Sequence, residues 1–448
     1  SVAAIPSPRI RSHAMARWSE RLRPRGALWR NRDFRRLWAA QTVSQFGSEI
    51  TGLALPLLAI LVLHASTFQV AALAVVDWRP FVLVSQPAGV WIDRLPRRPI
   101  LIAADLGRAA VLGSIPLAYL LDVLTLGQLY VVGLLAGTLT VFFDLSYQSY
   151  LPSVVERDEL GEGNSKLEVS RSSAQVAGPG LAGLLVSALT APYAILVDAT
   201  SFVGSALFLS RITRRERKPE RSHEARPAFR AEIREGLRFV VRHPILRPIV
   251  MFVGVSNIFV NMLFAIYLVY AVRELGLDAK TIGLIFSLGS LGSLVGALTA
   301  NRVARSFGIG PGLIAVATTG GLGLLLIPLA TGDLVIPFLV VANVLWGFFV
   351  LNYFVSAISL IQAITPDHLL GRTNASRRFL VQGVIPVGAL LGGALGTVLG
   401  LRPTIVIGAV GASVAVLPLF FSPLRAVRTT ADAEELVRGY NERFAVRE

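Results

Sequence analysis

Gly89-Val-Trp-Ile-Asp93-Arg94-Leu-Pro-Arg97-Arg98 is a short charged interruption between two long apolar stretches, and Ala297-Leu-Thr-Ala-Asn301-Arg302-Val-Ala-Arg305 is a weaker copy in the second half of the chain. A second pair repeats in the same order. Leu160-Gly161-Glu-Gly-Asn164 leads to Gly178-Pro179-Gly-Leu-Ala-Gly183, and Leu370-Gly371-Arg-Thr-Asn374 leads to Gly388-Ala-Leu-Leu-Gly392-Gly393. Two matches in one order mark an internal duplication, so the chain is expected to fold as two structurally similar halves.

The apolar stretches around these segments set the solvent. Of 448 residues, 53% are hydrophobic and 16% charged, and the mean hydropathy is +0.62. That leaves too little polar surface for a soluble fold of this size. Runs of about 20 apolar residues, enough to cross a bilayer core of about 30 Å, recur along the chain. They predict an all-α integral membrane protein with twelve spans, at about 39–63, 67–91, 99–121, 126–150, 168–189, 191–211, 246–271, 281–300, 310–331, 334–360, 378–400 and 403–422. The expected units are a basic tail with an interfacial helix (1–38), a six-helix half (39–211), a linker (212–245), a second six-helix half (246–424) and a tail (425–448). In the linker, Phe229, Ile233, Leu237 and Val240 recur at helical spacing between charges, as in a helix lying on a membrane surface.

Arginine and lysine favour the cytoplasmic side of a membrane. They concentrate after the even-numbered spans: Arg94, Arg97 and Arg98, then Arg211 to Arg247, Arg302 and Arg305, and Arg372, Arg377 and Arg378. The other loops carry Arg273, Lys280 and Arg402. Both termini are therefore expected in the cytoplasm, with the protein multi-pass in the inner or plasma membrane. The formal charge of +15 belongs to that facing and to anionic lipid; no nucleic-acid partner is expected. The tail before the first span shows no cleavable signal, and Met15 is a candidate start.

There is no cysteine, which excludes disulfides and thiolate chemistry. The histidines His13, His64, His223, His243 and His368 are scattered through tails, loops and helix ends, so no metal site is expected. No phosphate-cradling Gly-rich loop with Lys and Ser or Thr is present, and no cofactor or enzymatic centre is expected.

The Gly89 to Arg98 motif, placed between spans two and three, resembles the signature of the major facilitator superfamily. On that resemblance Gly89 permits close helix approach, while Asp93, Arg94, Arg97 and Arg98 form a breakable charge network at the cytoplasmic mouth. Simple positive-inside anchoring would explain the arginines alone. Asp105 and Arg108 in the third span, Asp144 in the fourth and Arg171 at the start of the fifth join this gate by depth; a static brace is the other reading. Gly178, Pro179 and Gly183 resemble the antiporter element of the superfamily, although Ala182 departs from it. With Asn31 to Trp38 and Phe142 to Pro152, the pattern looks like the efflux branch that contains enterobactin and macrolide exporters. That resemblance implies a monomeric, proton-driven exporter of small amphipathic molecules. An importer of a small nutrient on the same fold, or a membrane protein without transport, are the alternatives.

A charge at the bilayer centre costs about 2.5–3.5 kcal/mol by insertion scales and marks functional candidates. Glu49 and Arg79 sit at similar depth in the first two spans, with Asp77 close by. Glu49 is expected either to load and release a proton or to form a permanent pair with Arg79. No partner for Asp198 follows from the sequence. Polar residues near mid-depth, Gln41, Gln45, Asn257, Asn261, Tyr267, Asn343, Trp346, Asn352 and Tyr353, are candidates to line a substrate cavity. With so few fixed charges among them, neutral or apolar cargo is expected.

Overall fold

A computed structural model describes residues 27–84, 88, 91, 92, 95–214 and 229–445. Gly89, Asp93 and Arg94 lie outside the described residues, as does the side chain of Asp77. In lipid every backbone polar group must be satisfied internally, and a chain of repeated apolar runs meets that demand with helices. Six of them form the first half: α1 (Arg32–Leu61), α2 (Thr67–Leu83), α3 (Arg97–Leu120), α4 (Leu126–Val154), α5 (Leu160–Leu189) and α6 (Ala191–Ser210). The linker helix α7 (Phe229–Arg242) follows. The second half comprises α8 (Leu246–Arg273), α9 (Ala279–Phe307), α10 (Ile309–Leu324) with the short α11 (Leu326–Leu329), and α12 (Val335–Ile364). It ends with α13 (Asp367–Gln382) leading into α14 (Ile385–Val398), then α15 (Leu401–Val414) and the short α16 (Leu417–Phe420), before the C-terminal α17 (Thr430–Ala445).

Among the described residues, eleven helical segments are long and apolar enough to cross a membrane, and the shorter apolar helix Thr67–Val76 lies where the second span was expected. Helix starts follow their capping residues. The Asn31 side chain accepts from the Asp33 and Phe34 amides, Ser66 and Gln69 form a capping box, and Thr125 and Asp278 cap α4 and α9. The internal duplication reaches the backbone. Thr190, joining α5 to α6, has φ 76° and ψ 161°, and Gly400, joining α14 to α15, has φ 91° and ψ 165°.

Sequence neighbours are not always packing neighbours. In the first half α1 packs on α5 and α6, α3 on α4 and α6, and α2 on α4; in the second, α9 packs on α12, and α8 on α14 and α15. The halves meet through α5 against α9 and α2 against α14. Both seams are tight at the end of the bundle away from the basic loops. A Cβ at Gly183 would lie 2.3 Å from the Ala279 carbonyl oxygen, and one at Gly393 would lie 2.7 Å from Ala71 Cβ. Small residues there let backbones touch. Arg273 adds a hydrogen bond from its guanidinium to the Ala65 carbonyl at 2.6 Å.

Two segments outside the spans pack on the bundle. The C-terminal part of α7 rests on protein: Phe239 and Val240 are fully buried, the Phe239 ring packs on His243 and Tyr440, and α7 lies along α13. The other lies in the expected tail after residue 425. Helix α17 docks on α12 with Ala433 and Val437 buried, and Tyr440 donates to the Phe239 carbonyl at 3.2 Å.

Candidate functional site

Between the halves lies a cavity of about 1360 Å³, set toward the basic-loop end of the bundle. Its first-half wall is polar because α5 presents Asn164, Glu168, Arg171, Ser172 and Gln175 at intervals of three, four or seven residues, which places them on one helix face. Helix α1 adds Gln41, Gln45 and Glu49, and α4 adds Asp144, Tyr147 and Gln148. The opposing wall, from α9, is Leu291 and Leu294. A second chamber of about 730 Å³ continues inward past Glu49 and Gln175 to Phe286, Leu268 and Leu351.

The charges of this cavity centre on Arg171. Its guanidinium lies 4.0 Å from the Glu168 carboxylate and within electrostatic reach of Glu49 and Asp144. One arginine thus faces three carboxylates. Glu49 is seated by a glycine notch: a Cβ at Gly178 would come 2.4 Å from Glu49 Cβ. Pro179 and Gly183, the rest of that motif, lie on the α9 side, the Pro179 carbonyl against Gly283 and Gly183 against Ala279.

Arg79 is not brought to Glu49. It is exposed on the outside of α2, because α1 takes α5 and α6 as its main neighbours while α2 takes α4 and α14. Asp105 and Arg108 do pair, but inside the first half. The pair is buried, Arg108 reaches Thr140 Oγ1 at 3.4 Å, and its guanidinium is sandwiched between the Phe143 and Phe202 rings at 4.4 and 4.1 Å. Asp144 and Asp198 lie within electrostatic reach of Arg108. None of these partners belongs to the second half, so in this conformation the pair braces one half and does not bridge the mouth. Arg98 donates to the Leu209 carbonyl at 3.0 Å and to that of Ser210, capping α6. Arg97 is half-buried at the start of α3.

Of the polar residues expected to line the cavity, Gln41 and Gln45 do. Asn261 lines a separate pocket of about 140 Å³ with Phe264 and Pro386. Asn257 donates to the Val381 carbonyl, Asn343 to Tyr267 and to the Leu339 carbonyl, and Asn352 to the Gly296 carbonyl, so these three tie helices together. Tyr353 is buried among Phe252 and Phe349. Arg171, expected at the inner gate beside Asp144, lines the cavity instead, and Glu168 was not anticipated, although the polar stripe on α5 was there to be read.

The family model for transmembrane secretion effectors matches residues 26–443. The chain belongs to this family of major facilitator transporters. It is 27% identical over 383 residues to the multidrug efflux pump Tap of Mycolicibacterium fortuitum, covering 82% of this chain and 90% of that one. It is 26% identical to the enterobactin exporter EntS of Salmonella choleraesuis, covering 82% and 86%. Among solved structures, the inward-facing state of a bacterial homologue of the iron transporter ferroportin superposes with a TM-score of 0.71 at 17% identity, covering 87% of this chain and 98% of that one. An outward-facing state of such a homologue gives 0.54 at 20% identity, covering 87% and 98%. The nucleoside transporter NupG gives 0.69 at 12% identity, covering 86% and 98%. The protein is a multi-pass membrane transporter of the major facilitator type.

Proposed function

We propose that this family member is a proton-coupled exporter of cationic amphipathic small molecules, working by alternating access across the plasma membrane with both termini in the cytoplasm. One observation carries the reading: the cavity sets Glu49, Asp144 and Glu168, with Arg171 among them, against a wall of leucines. A carboxylate-rich face attracts positive charge, and the apolar face takes up the body of an amphipathic molecule. This replaces the neutral cargo expected from a charge-poor cavity.

Glu49 is the chosen proton carrier. It is within reach of cargo and of Arg171, so cargo and proton compete for one carboxylate. The glycine seams sealing the far end, with the cavity toward the basic loops, correspond to the cytoplasm-open step of the cycle. Export is favoured because the relatives Tap and EntS are an efflux pump and an exporter.

The test is transport of a panel of fluorescent cationic and neutral amphipaths in proteoliposomes of known orientation, with a proton gradient imposed in each direction. Gradient-driven movement of cations that is lost in Glu49→Gln supports the reading. Movement unaffected by the gradient, or by the substitution, overturns the coupling.

A further inference from the structure

Beyond the central cavity lies a third chamber of about 350 Å³ in the first half, lined by α1, α2, α3, α4 and α6 and closed by α8. Its walls are largely apolar, with Val70, Leu73, Phe202 and Phe264, yet Asp198, Arg108, Thr51 and Thr140 also line it. Gly52 of α1 and Leu268 of α8 line both this chamber and the one before it. A Cβ at Gly52 would meet nothing within 4 Å. The two chambers therefore adjoin at Gly52, where α1 carries no side chain.

Asp198 is set into this wall by design of its surroundings. Thr51 Oγ1 donates to Asp198 Oδ2 at 2.5 Å, and Ser201 donates to Oδ1 at 3.1 Å. A Cβ at Gly47 would lie 2.2 Å from Asp198 Oδ1, so α1 is notched to admit the carboxylate. The charged groups facing it are Arg108 and Asp105 of α3, and Asp144 of α4 faces Arg108. Arg108 is already hydrogen-bonded to Asp105, which leaves a negative charge at Asp198 without a full counter-charge in a largely apolar chamber. A buried charge in that position is stabilised by an added cation.

We propose that this chamber is a second cargo station, reached past Gly52, which holds the positive end of a small aromatic monocation beside Asp198 with its ring between Phe202 and Phe264. The proposal rests on the export reading only for the direction of travel; the site itself is defined by binding. The two chambers then give each protein two cation sites in sequence, the wide one at Glu49 and the narrow one at Asp198.

The experiment uses the purified full chain and radiolabelled methylphenylpyridinium, with uncharged phenylpyridine as the neutral comparison. Equilibrium binding is expected to give two cations per wild-type chain, and one in Gly52→Leu, whose side chain fills the junction of the chambers, and in Asp198→Asn. Gly254→Leu, at a second open glycine on α8 away from the described cavities, retains two. In proteoliposomes Gly52→Leu lowers cation transport about tenfold or more, and Asp198→Asn does so for the cation while phenylpyridine binding stays within about twofold. A single cation site in the wild type, or two in Gly52→Leu and Asp198→Asn, overturns the proposal. Two sites without gradient-driven transport would leave the station standing and overturn the export reading instead.

Discussion

Gly178 of α5 lies directly against Glu49 of α1, close enough that any Cβ at 178 would overlap the Glu49 side chain at 2.4 Å from its Cβ and 2.9 Å from its Cγ. The glycine therefore fixes how near the carboxylate stands to Arg171, which is on the same helix as Gly178. Gly178→Ala forces α1 and α5 apart or turns Glu49 out of its notch. Overpacking of this kind costs about 1–3 kcal/mol, so the protein still folds. Proton-driven transport is expected to fall about tenfold, with a smaller loss of thermal stability. Transport at the wild-type rate, measured in proteoliposomes, would remove Glu49's position from the mechanism.

The α5 to α9 seam yields a separate expectation. Gly183 meets the Ala279 carbonyl and the Gly283 backbone, so Gly183→Leu cannot close the far end of the bundle. Because the chain has no cysteine, Asp122→Cys and Asp333→Cys introduce unique spin labels on far-end loops of the two halves. The distance between them, read by electron–electron resonance, is expected to lengthen in Gly183→Leu, with transport lost. An unchanged distance distribution would mean the seam is not the closing contact.

The spans were legible because lipid imposes one demand on every stretch, about 20 apolar residues with internal hydrogen bonds. The duplication was legible because it repeats small residues that backbones need, as at Gly183 and Gly392. Contacts were not. The Thr51 hydroxyl meets Asp198 across 147 positions, and nothing local in either stretch announces it. The alternative that paired Glu49 with Arg79 failed for a definite reason: it assumed that adjacent spans touch on those faces, whereas α1 packs mainly on α5 and α6 and α2 on α4 and α14. The place of Arg171 in the cavity was within reach of the reasoning, since Asn164, Glu168, Arg171 and Gln175 make a helical stripe that lipid would not tolerate. The asparagines misled because an amide suits a helix-to-helix bond as well as a ligand; Asn343 spends its amide on Tyr267 and Leu339.

Arg108 is expected to be a brace whose loss is felt through its partner. Removing the guanidinium leaves Asp105 buried without its counter-charge, a situation that costs about 3–5 kcal/mol. Arg108→Gln is therefore expected to lower the unfolding temperature sharply, and Asp105→Asn with Arg108→Gln to recover much of the loss. Arg108→Lys should not restore stability, because a compact ammonium cannot lie flat between Phe143 and Phe202 as the planar group does. Additive losses in the double variant, measured by thermal unfolding in detergent, would show that the two residues act separately.

His243, at the turn between α7 and α8, gives a prediction about pH. Its Nδ1 accepts from the Ile245 and Leu246 amides at 3.2 and 3.1 Å, so the neutral ring caps the start of α8. Burial pushes its pKa down from 6.5 to about 3, and the rings of Phe239 and Tyr440 enclose it. Between those two values the unfolded chain binds a proton there and the folded chain does not, so the contribution of this residue is fully present above about 6.5 and is lost as pH falls toward about 3. His243→Asn keeps a side-chain acceptor for the α8 amides but does not titrate. Its unfolding temperature is expected to fall less steeply than the wild type's from pH 7 to pH 5, with the two proteins closest in stability at the acidic end. Parallel curves would show that the folded protein takes up a proton at His243 as readily as the unfolded chain does, and that α7 and α17 do not seal the ring from water.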